Sequence, residues 1–145
     1  MSASNKLDEI MRRKLSTITH RMAAELGQAH VVNLHQRAQK GVGVLDQKMP
    51  AYNKGYQRRK AKSGRSTQVR NLTLSGRMLG GLVVSVARRG PIGARATIAF
   101  TDTHSRDKAR WNQRISPWFG VSPRDRATLR QLAVNILQQL LAQGD

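Results

Sequence analysis

The segment between Asp46 and Asp102 contains no acidic residue, although twelve basic residues lie within it. They are Lys48, Lys54, Arg58, Arg59, Lys60, Lys62, Arg65, Arg70, Arg77, Arg88, Arg89 and Arg95. Because a cation buried without a partner is very costly, no hydrophobic core can absorb this segment. We therefore expect it to face water, a polyanion or an acidic protein surface, and this limits the class of partner before any fold is assigned.

The size and charge of the chain indicate one domain. Its 145 residues suit a modest hydrophobic core, and 26 Lys and Arg against 8 Asp and Glu give a net charge of +18. The apolar residues fall in periodic blocks, so we expect a folded domain with an extended basic part. Its predicted parts are a helical region at 6–40, a basic extended loop at 41–71, and a β-hairpin with a C-terminal helix at 72–143.

Several features bear on the compartment. The absence of cysteine excludes disulfides and thiolate metal sites. Residues 1–5 are polar and lack the apolar stretch of a signal peptide. Apolar runs extend over only a few residues, too few to span a membrane. We expect an intracellular soluble protein, or one that is assembled inside a cell.

The N-terminal region has helical periodicity. Apolar residues recur at intervals of three and four, and predict an amphipathic helix that ends near Gly27: Leu7, Ile10, Met11, Leu15, Ile18, Met22 and Leu26. Asp8 and Glu9 are expected in its first turn, where the helix dipole favours carboxylates. A second helical stretch follows before Gly41, and the sequence leaves open whether the two stretches fuse.

The middle of the chain predicts a loop followed by a hairpin. Glycines and a proline interrupt any periodicity from 41 to 71, and a short helical turn is expected within 72–82, with Leu74, Met78 and Leu79 apolar. Alternating β-branched and small residues on both sides of residues 89–93 then predict a β-hairpin over about 82–101.

The C-terminal part predicts two helices. The first is short, around residues 105–113, and carries Trp111. The second begins at Ser122 as N-cap, with Pro123 in its first position and Asp125 in its third. Its apolar stripe is expected to pack on the sheet, together with the N-terminal helix. The predicted fold class is α+β, with helices over one face of a small antiparallel sheet.

The sequence shows no constellation of catalytic or metal-binding residues. The four histidines lack the one-turn spacing and carboxylate partners of a metal site, and the eight acids are dispersed. We therefore expect no enzymatic activity, no cofactor, and no catalytic, cofactor-binding or metal-ligating residues.

The basic segment itself allows three interpretations. It is a solvated loop, a contact for nucleic-acid phosphates, or a docking site for an acidic protein surface. The candidate partner-facing residues are Lys48, Lys54, Arg58, Arg59, Lys60, Lys62, Arg65 and Arg70. Tyr52 and Tyr56 flank the run and could stack on bases, but two tyrosines are too few for a single-strand platform. No predicted helix carries a regular basic stripe beside recognition-type polar residues.

Trp118 and Phe119 form a compact apolar pair between Pro117 and Gly120. One interpretation is an anchor that fixes the start of the last helix. The other is an aromatic hot spot at a subunit interface, which makes Trp118 and Phe119 the candidate interface residues. The two interpretations are compatible.

Three stretches resemble a known family when taken together. Residues 50–56 read Pro-Ala-Tyr-Asn-Lys-Gly-Tyr and precede Lys60 and Gly64-Arg65. Residues 71–79 read Asn-Leu-Thr-Leu-Ser-Gly-Arg-Met-Leu, and residues 117–125 read Pro-Trp-Phe-Gly-Val-Ser-Pro-Arg-Asp. In this order they are similar to the neck and tail-completion proteins of tailed bacteriophages, which include the head–tail-joining and virion-morphogenesis groups.

The resemblance implies a non-enzymatic virion protein, assembled in the host cytoplasm. Such proteins form a ring, commonly six- or twelve-fold, between the portal or adaptor and the tail, and double-stranded DNA passes through its lumen. The basic segment would line that channel or reach an acidic face of a neighbouring ring. The alternative that composition alone supports is a standalone nucleic-acid-binding protein, associated with the ribosome or the nucleoid.

Overall fold

The computed structural model describes residues 3–68, 70, 72 and 77–142, with side chains from residue 5 onward. Its elements are α1 (Ala3–Lys40), α2 (Lys54–Lys62), α3 (Arg77–Gly80), β1 (Leu82–Arg89), β2 (Gly93–Phe100), α4 (Thr103–Ile115) and α5 (Pro123–Ala142). The two strands pair in an antiparallel sheet against which α1 packs. The predicted α+β class is confirmed.

Helix α1 runs without interruption through Gly27, so the predicted end of the helix there is wrong. Gly27 is buried against the hairpin, and a Cβ atom at this position would lie 2.6 Å from Cγ1 of Val84 and 3.1 Å from Cβ of Ala96. The glycine therefore serves close approach of helix and sheet, not helix termination. Because the helix begins at Ala3, Asp8 and Glu9 lie beyond its first turn, and the first-turn explanation for them is also wrong.

The predicted hairpin is present with regular register. Leu82 pairs with Phe100 at the open end, and Arg89 pairs with Gly93 beside the turn. Gly90 in the turn adopts a φ of +66°, a conformation that glycine accepts without steric cost. The side chains of alternate residues turn toward α1, and those between them, such as Ser85 and Thr97, are exposed.

Helix α5 starts at the predicted cap. The Ser122 hydroxyl accepts a hydrogen bond from the Asp125 amide at 3.0 Å, and the Asp125 carboxylate accepts one from the Ser122 amide at 3.2 Å. This reciprocal pair is a capping box. The helix, however, packs mainly against α1 and not on the sheet as expected, since α1 itself occupies the inner face of the hairpin.

The hydrophobic core lies beside the C-terminal half of α1, where α3, α4 and the segment before α5 meet. Its buried members are Ala38, Met49, Leu72, Met78, Leu79, Ala109 and Trp118, with Phe100 and Phe119 packed at the edge. The Trp118 indole donates a hydrogen bond to the Ala109 carbonyl at 3.4 Å. This packing anchors the chain just before α5 and leaves the N-terminal part of α1 exposed.

The predicted basic extended loop at 41–71 is wrong in its centre, because residues 54–62 form α2. Asn53 caps this helix, and its side-chain oxygen accepts a hydrogen bond from the Tyr56 amide at 2.8 Å. The cap was readable in the sequence, but nine residues are too few to display an apolar period. The helical turn predicted within 72–82 corresponds to α3; Leu74 lies outside the described residues.

None of the helices in the described part of the chain combines the length and the apolar character that crossing a bilayer requires.

Candidate binding cleft between helices α2 and α4

A cleft of about 540 Å³ lies between α2 and α4, and we call it the α2–α4 cleft. Its lining combines apolar and aromatic side chains with three cations and two amides: Ala51, Tyr52, Asn53, Tyr56, Arg59, Arg70, Leu72, Met78, Lys108, Trp111, Asn112 and Ile115. None of these residues is acidic. The volume falls within the range of about 300–1,000 Å³ that is usual for ligand pockets.

Tyr52 organises the inner wall of the cleft. Its ring centre lies 4.6 Å from that of Tyr56, 4.7 Å from Nζ of Lys60 and 5.3 Å from Cζ of Arg70. Its hydroxyl oxygen accepts a hydrogen bond from the Leu72 amide at 2.9 Å. Burial raises the pKa of this tyrosine. Because its ring already contacts three side chains, Tyr52 supports the wall and is not a platform for bases.

Two of the predicted partner-facing cations are withdrawn from the surface, so the prediction is wrong for Lys60 and Arg70. Lys60 is fully buried and Arg70 is 5% exposed. Burial, and secondarily the charge of Arg65, lower the pKa of Lys60. Both cations lie over the ring of Tyr52, and Arg70 also donates to the Asn112 side chain at 3.2 Å.

The other predicted cations are exposed, and those on α2 are brought together. Those on α2 are Lys54, Arg58, Arg59 and Lys62. Arg59 also lines the cleft, with its guanidinium 5.9 Å from the centre of the Tyr56 ring. Lys48 and Arg65 lie outside the helix, and Lys48 pairs with Val42 in an isolated bridge. Four cations therefore share one helix, while the remaining two are separate from it.

Helix α4 forms the opposite wall and was missed as a functional element. Asp102 caps it by accepting from the Ser105 amide at 2.8 Å, and this hydrogen bond lowers the pKa of Asp102. The helix presents Lys108 and Trp111 to the cleft, and Trp111 is 58% exposed. The sequence signal that could have identified this wall is a tryptophan within a predicted helix of mostly charged and polar residues.

A second recess of about 380 Å³ lies on another side of α4. Phe100, Ala109 and Phe119 contribute its apolar lining, and Arg106, Arg110 and Arg114 accompany them at successive intervals of four. We call it the phenylalanine groove. Arg106, Arg110 and Arg114 thus form a basic row on α4, and its spacing was visible in the sequence. The expectation that no helix carries such a row beside recognition-type polar residues stays a prediction.

The two candidate interface residues differ in their exposure. Trp118 is only 1% exposed and packs inside the subunit. Phe119 is half-buried, lines the phenylalanine groove, and lies 5.7 Å from Phe100 between ring centres. The Gln113 side chain holds both residues by accepting hydrogen bonds from their amides at 3.0 and 2.9 Å. Only Phe119 is thus positioned to contact another molecule directly; its interface role stays a prediction.

A buried charged group lies apart from both recesses. It comprises Arg37, Asp125 and His30, whose Nδ1 atom is 4.0 Å from the Asp125 carboxylate. Burial lowers the pKa of both His30 and Arg37. Among the described residues, no three His, Cys, Asp or Glu side chains gather as a metal site requires.

The stretches that carry the resemblance meet around the α2–α4 cleft and the core. Residues 50–56 lead into α2, Leu72 bonds to Tyr52, and Trp118 shares the core with Leu72 and Met78. Residues 71 and 73–76 of the second stretch lie outside the described residues. Comparisons with known protein families, curated proteins and solved structures find no match to this chain.

Proposed function

We propose that this protein is a non-enzymatic structural component at the head–tail junction of a tailed bacteriophage. In this role it is a neck or tail-completion subunit that joins the DNA-filled head to the tail around the DNA channel. The observation that carries the proposal is the cationic surface of α2 and α4. Across these two helices a single acid, Asp107, accompanies the cations that surround two apolar recesses. Such a surface suits DNA phosphates or an acidic neighbouring protein.

Exposed apolar side chains support a role in an assembly. Leu7, Ile10, Met11 and Leu15 are each more than two-fifths exposed on the N-terminal part of α1. On α5, Val134, Leu137 and Leu141 are similarly exposed. Contiguous apolar surface of this kind is usually buried against another subunit. In a closed ring, one patch would pack against a different patch of the next subunit.

The proposal is tested by the absolute mass of the nuclease-treated protein in high salt, measured by light scattering on a sizing column. A single species of six or more subunits, with a central opening in electron micrographs, is the expected result. The portal, adaptor and tail proteins are the expected neighbours in the virion. A protein that stays monomeric at all concentrations and binds duplex DNA tightly would favour the second candidate.

The second candidate is a standalone nucleic-acid-binding protein, and the row of Arg106, Arg110 and Arg114 favours it. Each phosphate contact contributes about 0.9 to the slope of the logarithm of the DNA-binding constant against that of salt. The slope is negative, and changing the three arginines to alanine should make its magnitude smaller by about 2–3. An unchanged slope would remove DNA contact by this row, and with it the specific support for the second candidate.

A further inference from the structure

We propose that the α2–α4 cleft binds an acidic segment of a partner protein by taking in one large apolar side chain between Arg59 and Lys108. The inference deepens the proposed function and rests on it for the existence of a partner. It also chooses between the two classes of partner that the basic segment allows, assigning the cleft to a protein and not to nucleic acid.

The interior of the cleft supplies the apolar site. Leu72 and Met78 are buried core residues whose side chains reach the cleft, while Trp111 and Ile115 are 58% and 42% exposed. An apolar side chain that covers them would remove hydrocarbon surface from water on both sides of the contact. Tryptophan is one of the residue types enriched at the energetic centres of protein interfaces.

The charges around the cleft select an acidic segment. Arg59 on α2 and Lys108 on α4 line the two helical walls, and Arg58 adds to the positive charge on α2. None of the described residues that line the cleft carries a carboxylate to compensate them. Acidic residues on both sides of an inserted apolar side chain would match this arrangement, whereas a basic segment would be repelled.

The polar groups of the cleft argue against a nucleobase as the inserted group. A base that is taken into a pocket is read through hydrogen bonds to its edges. Here Asn112 accepts from Arg70 and donates to the Lys108 carbonyl, and the Asn53 side chain caps α2. The Tyr52 hydroxyl likewise accepts from the chain itself. An aliphatic or aromatic side chain needs no such partner, so it fits the cleft better.

Trp111 provides a direct test, because the other tryptophan, Trp118, is buried in the core. The probe is a synthetic heptapeptide with three acidic residues on each side of a central leucine. We expect its binding to shift the Trp111 emission to shorter wavelength and to saturate. Replacing the central leucine by glycine should weaken binding by about 10- to 100-fold, the effect of leaving one leucine side chain unburied. Lysine flanks should abolish binding.

Charge reversal tests the site. The double variant Arg59→Glu/Lys108→Glu should lose binding of the acidic peptide, measured by calorimetry. The matched variant Arg88→Glu/Arg89→Glu makes the same change on the exposed end of the hairpin, which lines no part of the cleft, and should retain binding. Since all four side chains are exposed, both variants should keep the circular dichroism spectrum of the parent.

Several outcomes would overturn the inference. They are equal affinity for the leucine and glycine peptides, equal loss in both charge-reversed variants, or displacement of the peptide by an oligothymidylate that itself shifts Trp111 emission. The last result would make the cleft a nucleic-acid site. If the protein forms a ring of six or more subunits but binds no peptide, this inference alone is overturned. If it stays a monomer but binds the peptide, the ring is overturned and the peptide site in the cleft stands.

Discussion

The Nε atom of Arg37 lies 3.1 Å from Oδ2 of Asp125, and both side chains are buried. The guanidinium also donates hydrogen bonds to the carbonyls of Gly43, Trp118 and Gly120, at 3.1, 3.2 and 2.7 Å. One side chain near the end of α1 thus holds the loop after that helix, the segment before α5, and the first turn of α5. Because Trp118 is anchored by Ala109 of α4, this network also fixes α4 relative to α1.

Asp125→Asn should destabilise the protein by about 3 kcal/mol. The amide can still occupy the capping position, but buried Arg37 loses its opposite charge, and breaking one side of such a pair is costly. Urea unfolding measures the change. Asp107→Asn on exposed α4 is the matched control and should stay within about 0.5 kcal/mol of the parent. Equal midpoints for the two variants would show that the Arg37–Asp125 pair contributes no net stability.

Stability should fall as the pH drops below about 6.5, because burial lowers the pKa of His30 from its ordinary value of 6.5. Asp125 opposes this shift and Arg37 reinforces it. The unfolded chain takes up a proton in this range while the folded chain does not, so acid favours unfolding. In the His30→Gln variant, the urea midpoint of unfolding should change little between about pH 5 and pH 7.5. The exposed control, His20→Gln, should keep the pH dependence of the parent. If the His30→Gln variant keeps the pH dependence of the parent, another titrating group causes the effect.

Tyr52→Phe should cost about 1–2 kcal/mol. The ring remains against Lys60 and Arg70, but the Leu72 amide loses its acceptor near the buried side of the cleft. Tyr56→Phe is the matched control, since its hydroxyl makes no hydrogen bond to the wall among the described residues, and it should change stability by less than about 0.5 kcal/mol. If the two variants unfold at the same urea concentration, the Tyr52–Leu72 bond is not a determinant of stability.

Gly27→Ala should destabilise the protein by about 1–3 kcal/mol although alanine is the better helix former. The added methyl would overlap Val84 at the interface of α1 with the hairpin. Gly80→Ala is the control, because in the described part of the chain no heavy atom beyond its chain neighbours and its own helix backbone lies within 4 Å of the corresponding position. Thermal unfolding should show partial recovery in the double variant Gly27→Ala/Val84→Ala. A stabilised Gly27→Ala protein would mean that the hairpin moves aside easily.

The elements that the sequence predicted well depend on local signals. The capping box at Ser122 and Asp125 joins residues three apart, and the hairpin register follows from alternation on both sides of a short turn. For the same reason the arginine row on α4 was predictable, since a helix brings residues four apart to one side. The α2 cap at Asn53 is a local signal of the same kind, but it was not recognised, and the segment was predicted as an extended loop.

The features that were predicted wrongly depend on partners distant in the chain. Nothing near Gly27 indicates that the hairpin, more than fifty residues later, requires a glycine inside a helix. The pairing of Arg37 with Asp125, which was not predicted, likewise joins residues that are far apart in the sequence. Helix α5 packs on α1 because α1 already covers the sheet. An amphipathic stripe shows that a helix has an apolar face, but not which element that face will cover.

The sequence by itself determined the α+β class, the hairpin, the start of α5 and the excess of positive charge, but not α2 or the continuity of α1 through Gly27. Only the tertiary structure decided how the basic run is divided, with Arg59 at a cleft and its neighbour Lys60 buried against Tyr52. The physical reason is that successive residues of a helix point about 100° apart. Which of two adjacent cations meets solvent is therefore set by what packs against the helix, and that partner came from elsewhere in the chain.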